Sequence, residues 1–451
     1  MFSTGDKIII ALSGGGDSVG LLHVLFQVKD EIGITLEAAH LNHSLRGDES
    51  DRDEQFCREL CRQYNVYLSV KTIIPGEIEA GLGSVETNSR EKRLKFLEET
   101  CILRGADKIV SGHTMDDQAE TILQRILRGT GPTGLQGILP VRGQWVRPFL
   151  CVTRSEIRDY LTAKNICFRD DSSNNDVAFF RNKIRHQLIP YLRDFFSPNL
   201  TNGLVRLSEL SRIQEEYLKK QESDAFSDCR IHADSFKILL DKPVFMGYHK
   251  VLRQRIVRHC LELLEGEGRD TEMDEIEHIL ELIHGECGAI DITAGIRCEA
   301  NSRIAAFIVP VKQYEPIPLK LPGITEIPLD GGIIEATLLS EKVTVDGIMS
   351  VLIGPEISDK YGNLTVGVLR RGELMIPSGA KRNRKIRDIL SVVSLPGIVK
   401  DMLPVVRAGA VSVWIPGFKS SDCLQTATLN NRTEYDKRSL ILNFKGGYQF
   451  G

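Results

Sequence analysis

Residues 7–25 read KIIIALSGGGDSVGLLHVL. An apolar run leads into three glycines, then an acid and a hydroxyl, then apolar residues at helical spacing. A strand that feeds a helix through glycines is a βα unit, so this stretch commits the chain to layers of helix and sheet. It also builds an anion seat. Gly14, Gly15 and Gly16 let the backbone reach a ligand with no side chain between. The helix start adds unpaired N–H groups and partial positive charge. Ser13 and Ser18 offer hydroxyl donors. Phosphate is the anion that suits such a bowl, and the competing reading is a tight βα turn that holds nothing.

Two phosphate loops are excluded. The loop has no lysine, so it is not G-x-x-x-x-G-K-[ST], and Val19 breaks G-x-G-x-x-G. What remains, SGGGDS after a strand, resembles the S-G-G-x-D-S loop of the PP-loop ATP pyrophosphatase superfamily. That resemblance implies ATP cleaved between its α and β phosphates, with AMP left on the substrate.

The apolar runs 8–12, 34–39, 66–74 and 108–111 read as strands, and 50–64 and 87–103 as helices between them. The alternation predicts a doubly wound, mostly parallel α/β sheet with helices on both faces, whose ligands sit beyond the carboxyl ends of the strands. T-R-S-E at 153–156 is a capping box that starts a helix. Residues 199–222 read as a polar helix that leaves the first domain. In TEMDEIEHILELIHG, Met273, Ile276, Leu280 and Ile283 share a helical face, and a β-rich piece follows at 289–310. The proline-rich stretch 314–328 reads as loop and edge strand. A length of 451 residues allows two or three domains, drawn at 1–212, 213–345 (mainly helical) and 346–451 (small, α+β).

No apolar run approaches a membrane span, and the N-terminus lacks signal-peptide form. None of the ten cysteines forms C-x-x-C, which argues against a zinc ribbon or cluster ligands and for reduced thiols in the cytoplasm. A net charge of −4 excludes a uniformly positive surface, so any nucleic-acid contact rests on local basic patches.

Two further clusters sit where strands end. HLNHSLRGD packs His40, Asn42, His43, Arg46 and Asp48 into nine residues, at a strand end that shares the crevice of the glycine loop. The spacing of His40 and His43 alone is a weak metal signal. In SGHTMDDQAETIL, His113, Asp116, Asp117 and Glu120 crowd the start of a helix. One acid there complements the helix dipole; three acids and a histidine exceed that need. Carboxylates suit Mg²⁺ on a polyphosphate and equally suit an ammonium substrate.

HLNHSLRGDES, GHTMDDQAETILQRILRGTGPTGL, RPFL…TRSEIRDYL and DDSSNNDVAFFRNKIRHQLIP, in this order over nearly the whole chain, resemble the tRNA(Ile)-lysidine synthetase family. The resemblance implies ATP-dependent ligation of L-lysine to C2 of the wobble cytidine in tRNA(Ile) with a CAU anticodon, through an adenylated cytidine. It places ATP at Ser13, Gly14, Gly15, Gly16, Asp17, Ser18, His40 and Asn42. Asp17 and Asp116 become the candidate Mg²⁺ ligands, and Asp17, Asp116 and His113 the catalytic set. Lysine falls to Asp117, Glu120 and Arg185. For tRNA the candidates are Arg46, Arg128, Arg181, Arg370, Arg371 and Lys400, with Lys381, Arg382, Arg384, Lys385 and Arg387 of the basic run. Two departures are Glu373 where Asp is common and Lys400 where Arg is expected. A homodimer is compatible with the chain. The alternatives are a PP-loop tRNA thiolase, against which the missing C-x-x-C counts, and a non-catalytic ATP-dependent RNA-binding protein, which would have lost the acids.

Overall fold

A computed structural model of the chain describes residues 1–44, 47–74, 85–169, 180–266, 272–292, 295–309, 314–328, 332–338, 345, 347–427 and 439–445, without the side chains of 86 and 425–427. Element counts below refer to these residues. The chain divides into two units, Met1–Tyr217 and Leu218–Gly451.

The first unit begins with β1 (Lys7–Ala11), α1 (Gly16–Ile32), β2 (Thr35–Asn42), α2 (Asp48–Gln63), β3 (Tyr67–Thr72), α3 (Val85–Leu103), β4 (Lys108–Val110) and α4 (Met115–Leu127). It continues through α5 (Pro132–Leu135), β5 (Val141–Arg142), β6 (Trp145–Val146), α6 (Arg154–Ala163), α7 (Phe180–Lys183), a π turn (Ile184–Leu188) and α8 (Ile189–Phe195) to the long α9 (Leu200–Cys229), within which the unit ends. Six strands form one sheet in the order β3-β2-β1-β4-β6-β5, parallel except for β5.

The alternation of side chains along β1 divides the core. Ile8 and Ile10 face one way, onto Val19 and Leu22 of α1, Leu60 of α2 and Leu161 of α6. Ile9 faces the other way, onto Phe96, Leu97 and Cys101 of α3. All three isoleucines are buried completely, which is why β1 reads as a continuous apolar run rather than an alternating one. The expected doubly wound parallel sheet is therefore present. Strand order reverses between β1 and β4, and in sheets of this kind the ligand crevice lies at that switch point, beyond the strand ends.

The second unit starts with β7 (Arg230–Ala233), β8 (Lys237–Asp241), α10 (Lys242–Gly247), α11 (Lys250–Glu265), α12 (Met273–His284), β9 (Gly288–Asp291), β10 (Arg297–Ala300) and β11 (Ile304–Ile308). The strands form an antiparallel sheet, β7-β8-β11-β10-β9, with α11, α12 and the end of α9 packed on one face. Ile276, Leu280 and Ile283 are buried on the expected stripe of α12; Met273, at its first turn, is exposed. Strands β7 and β8 were not expected. KILLD is a five-residue apolar run that periodicity alone cannot assign, and β7 is polar.

The remainder comprises β12 (Ile317–Pro318), β13 (Gly323–Glu326), β14 (Ile333–Leu338), β15 (Ser350–Ile353), α13 (Pro355–Tyr361), β16 (Leu364–Val368), β17 (Leu374–Met375), β18 (Arg384–Lys385), α14 (Ile386–Ile389), α15 (Gly397–Asp401), β19 (Pro404–Ala408), β20 (Val411–Ile415), β21 (Lys419–Ser420) and β22 (Leu440–Lys445). Two antiparallel sheets, β12-β16-β19-β20-β21 and β13-β14-β22-β15, share a core around Trp414, Val406, Ile334 and Leu442. The proline-rich stretch supplies β12 and β13, each at a sheet edge, where a missing N–H costs no ladder bond. No helix among the described residues is long and apolar enough to cross a membrane.

Candidate active site

The glycine loop joins β1 to α1. Gly14 holds φ at +90°, a left-handed value that favours glycine. Gly15 is the N-cap of α1 and brings no side chain to cap it. Among the described residues nothing accepts a hydrogen bond from the amides of Gly16, Asp17 and Ser18, the orphan donors of a helix start. The serines brace the loop from inside. Ser18 Oγ donates to Gly15 O at 3.0 Å and accepts from Ser13 N at 3.2 Å, while the two hydroxyls lie 3.1 Å apart. Arg169 N donates to Gly14 O at 3.0 Å and ties a later segment to the loop.

Gly112, after β4, approaches this loop from across the switch point. A Cβ there would lie 2.9 Å from the carbonyl oxygen of Asp17. His40 and Asn42 lie at the end of β2, both buried. His40 Nδ1 bonds Leu12 O at 2.9 Å, and its buried Nε2 meets no partner among the described residues. Burial holds its pKa below the ordinary value. Asn42 is tied to α2 through Asp51 at 3.0 Å and Glu54 at 3.1 Å.

The start of α4 carries the acids. Thr114 is its N-cap and Asp117 closes a capping box, with Asp117 Oδ2 accepting from Thr114 N at 2.8 Å and Thr114 Oγ1 at 2.9 Å. Asp117 Oδ1 accepts from Arg154 at 2.5 Å and Arg181 at 2.9 Å. Glu120, only 1% exposed, is ringed by guanidiniums: Arg154 at 2.8 Å, Arg181 at 2.8 Å and Arg185 at 2.6 and 3.0 Å. Burial pushes the Asp117 carboxyl up, but Arg154 and Arg181 outweigh it and hold the group at about 2. Glu120 is likewise held below its ordinary value, with burial opposing and the arginines prevailing.

Arg154 is the hub. Besides both acids of α4 it meets Asp17 at 3.4 Å, and its backbone N–H donates to Asp116 at 2.8 Å. The sequence reading omitted it from the site, although a cation in the first turn of a helix opposes the macrodipole and was a usable signal. Arg181, set among the tRNA contacts by the sequence, lies here against Asp117 and Glu120. Arg185 reaches Glu120 from the π turn.

Asp17 is pushed up to about 6, by burial first and against the pull of Arg154. A carboxyl so desolvated is short of positive charge. His113, its Nδ1 2.9 Å from Ser111 Oγ, is pushed down to about 4, chiefly by burial, and is neutral at pH 7. Asp17 and Asp116 both border Arg154, and two carboxylates are what Mg²⁺ on a nucleotide polyphosphate takes from a protein. No group of three or more acids, histidines or cysteines among the described residues forms a dedicated metal cage.

Arg128 is the C-cap of α4, its guanidinium 5.8 Å from the Phe180 ring. Arg46 lies outside the described residues. In the second unit, Arg370, Arg371, Lys381, Arg382, Arg384 and Lys385 are exposed, while Arg387 pairs with Asp401 at 3.0 Å. Lys400 is half-buried, and burial and Arg387 lower its pKa.

Residues 2–192 match the PP-loop domain family. A tRNA(Ile)-lysidine synthase of Symbiobacterium thermophilum is 32% identical over 440 residues, 92% of this chain and 90% of that protein. One from Clostridium perfringens is 32% identical over 464 residues, 99% of this chain and 97% of its own. One from Geobacter sulfurreducens is 30% identical over 437 residues, covering 94% and 91%.

Proposed function

The chain belongs to the tRNA(Ile)-lysidine synthase family, and from that premise we propose how its residues divide the work. The protein is an enzyme, a ligase that forms a C–N bond, uses ATP and acts on tRNA. It joins L-lysine to C2 of the wobble cytidine of tRNA(Ile) with a CAU anticodon. The cytosine C2 oxygen attacks the α-phosphate of ATP and pyrophosphate leaves; the lysine amine then attacks C2 and AMP leaves, giving lysidine.

The observation that carries the assignment is one crevice that holds an uncapped helix start, a desolvated acid and a buried acid–arginine cluster. The free amides of Gly16, Asp17 and Ser18 suit the departing pyrophosphate, whose charge develops as the α–β bond breaks. Asp17 and Asp116 would hold Mg²⁺, which when bound neutralises polyphosphate charge. His40 and Asn42 line the nucleotide side of the strand ends.

Three guanidiniums face two carboxylates in the cluster, and this matches a zwitterionic substrate. The carboxylate of lysine can take a guanidinium, Arg185 in our assignment, while an ammonium takes the freed edge of Glu120 or Asp117. Neither charge of the substrate is then left unpaired in a desolvated site. The reacting amine must lose a proton, and the neutral imidazole of His113 can accept it. We assign tRNA contacts to Arg128 and to the exposed cations of the second unit.

Labelled lysine, ATP and a CAU-anticodon tRNA(Ile) transcript test this, with a methionine tRNA as control. Lysine should enter only the first tRNA, with one AMP released per lysine. Release of ADP, or tRNA left free of label, overturns the reading. Asp117→Asn should raise the KM for lysine by about tenfold or more and leave that for ATP unchanged. An unaltered lysine KM removes Asp117 from that site.

A further inference from the structure

A second group of cations in the first unit remains unused by these assignments. Arg90 and Arg93 sit at i, i+3 on α3 and share a face. Arg142 and Arg147 belong to the β5–β6 hairpin and the residue after it. The two elements are pinned together by Trp145, whose indole N–H donates to Glu98 of α3 at 3.3 Å and whose ring packs with Phe96 and Leu97.

The arginines form no ion pair among the described residues, although Glu98 lies beside Trp145 and Asp117 acts on Arg93. Arg90, Arg93 and Arg142 are exposed, and none makes an ion pair or hydrogen bond among the described residues. Arg147 spends one Nη on Leu139 O at 2.8 Å, and its Nε is buried with no partner among those residues. The charges that act on Arg147 are Arg142 and Arg90. Those that act on Arg93 are Arg90 and Arg181, with Asp117 the one acid. Like charges brought together in this way cost stability, and an anion that bridges them relieves that cost. The group also borders the catalytic crevice, because Arg93 and Arg147 are both near enough to His113 to depress its pKa.

We propose that Arg90, Arg93, Arg142 and Arg147 form a seat for backbone phosphate of the polynucleotide substrate, next to the nucleotide whose base enters the crevice. The proposal rests on tRNA being the substrate. The phosphates of ATP already have the amides of α1, so a separate, larger and more open cationic face suits a polyanion whose charges are spaced along a chain. Phosphate contacts of this kind carry no sequence information; they fix the register in which a splayed-out base is presented.

The test is the triple variant Arg90→Ala/Arg93→Ala/Arg142→Ala, whose exposed side chains allow the fold to persist, as an unchanged melting temperature will verify. Binding of the CAU-anticodon transcript is measured across a salt series, and ATP binding in parallel. We expect the Kd for tRNA to rise about tenfold or more, and the salt slope to fall by roughly one for each arginine that meets a phosphate. ATP affinity should not move. The triple Arg→Lys variant should recover most of the slope, since a phosphate accepts a point charge. Unchanged tRNA affinity and slope overturn the seat. Loss of ATP affinity with intact tRNA binding also overturns it, and gives the arginines to the nucleotide instead. An unsubstituted enzyme that binds no tRNA fails at the underlying functional reading, and is distinguished from both.

Discussion

Arg154 and His113 show how burial assigns chemistry to single side chains. Arg154 satisfies carboxylates from α1 and α4, and without it Asp17 would lose the guanidinium 3.4 Å away. His113 has the opposite need: a charged imidazole would be desolvated and set against Arg147, Arg181 and Arg93, so it stays neutral. The consequence for stability has a definite sign. The folded state takes up this proton near pH 4 and the unfolded chain near 6.5, so the unfolded chain binds more protons between these values. The contribution of His113 therefore falls as pH drops from about 6.5 to about 4, while Asp17, held at about 6 against 3.8, contributes in the opposite sense between about 6 and 3.8. Asp117, held at about 2 against 3.8, adds stability that is present above pH 3.8 and lost below it. Through these groups the urea midpoint should change little between pH 6.5 and 3.8, where His113 and Asp17 oppose each other, and fall below pH 3.8. His113→Gln removes the falling contribution and leaves that of Asp17, so the stability of the variant relative to the parent should rise by on the order of 3 kcal/mol as pH is lowered from 6.5 to 4; a pH-independent difference would take His113 out of this titration.

Among elements, the close approach of β4 to the start of α1 decides whether the loop and the acid cluster work together. Gly112 is required there by contact rather than by its own backbone angle, since an added Cβ would press on the Asp17 carbonyl carbon at 3.0 Å and its oxygen at 2.9 Å. Backbone cannot yield as a flexible side chain can, so Gly112→Ala must shift the loop. Its KM for ATP should rise by about tenfold or more while tRNA binding persists; a parental KM would show that the loop tolerates the shift. The strands and capping boxes were legible because each depends on a few neighbouring residues. T-R-S-E does start α6, with Thr153 and Glu156 bonded reciprocally. The π turn was not foreseen, although Pro190 gave a clue. A proline inside a helix removes an N–H and crowds the preceding turn, and here the i→i−5 bond of Ile189 to Ile184 O absorbs the disruption. That turn also aims Arg185 at Glu120.

At the scale of the whole molecule, a net charge of −4 coexists with concentrated basic surfaces. In the second unit the RRGE turn is anchored by Glu373, which accepts from the Arg370 backbone at 2.9 Å, from buried Arg407 at 2.6 and 2.7 Å and from Ser412 at 2.6 Å. The longer acid thus still closes the turn and leaves Arg370 and Arg371 outside. Arg387 spends its charge on Asp401, while Lys381, Arg382, Arg384 and Lys385 of the basic run are exposed and make no ion pair among the described residues. Their joint replacement by Ala should lower the salt slope of tRNA binding by about one for each phosphate they had neutralised and leave the lysine KM unchanged; a parental slope would exclude this run from the interface. The first four strands of the first unit with the helices between them, the glycine loop and the family motifs were written in the sequence, because periodicity, glycines and capping pairs are local; the β5–β6 hairpin and the π turn were not. What only the tertiary structure decided is which charges meet. Arg154 comes from α6 and Arg181 and Arg185 from the distant segment of α7 and the π turn, and their convergence on Glu120 of α4 depends on helices packed around a common sheet. Ionic partnership is set by distance through space and by desolvation, neither of which a linear string of residues contains.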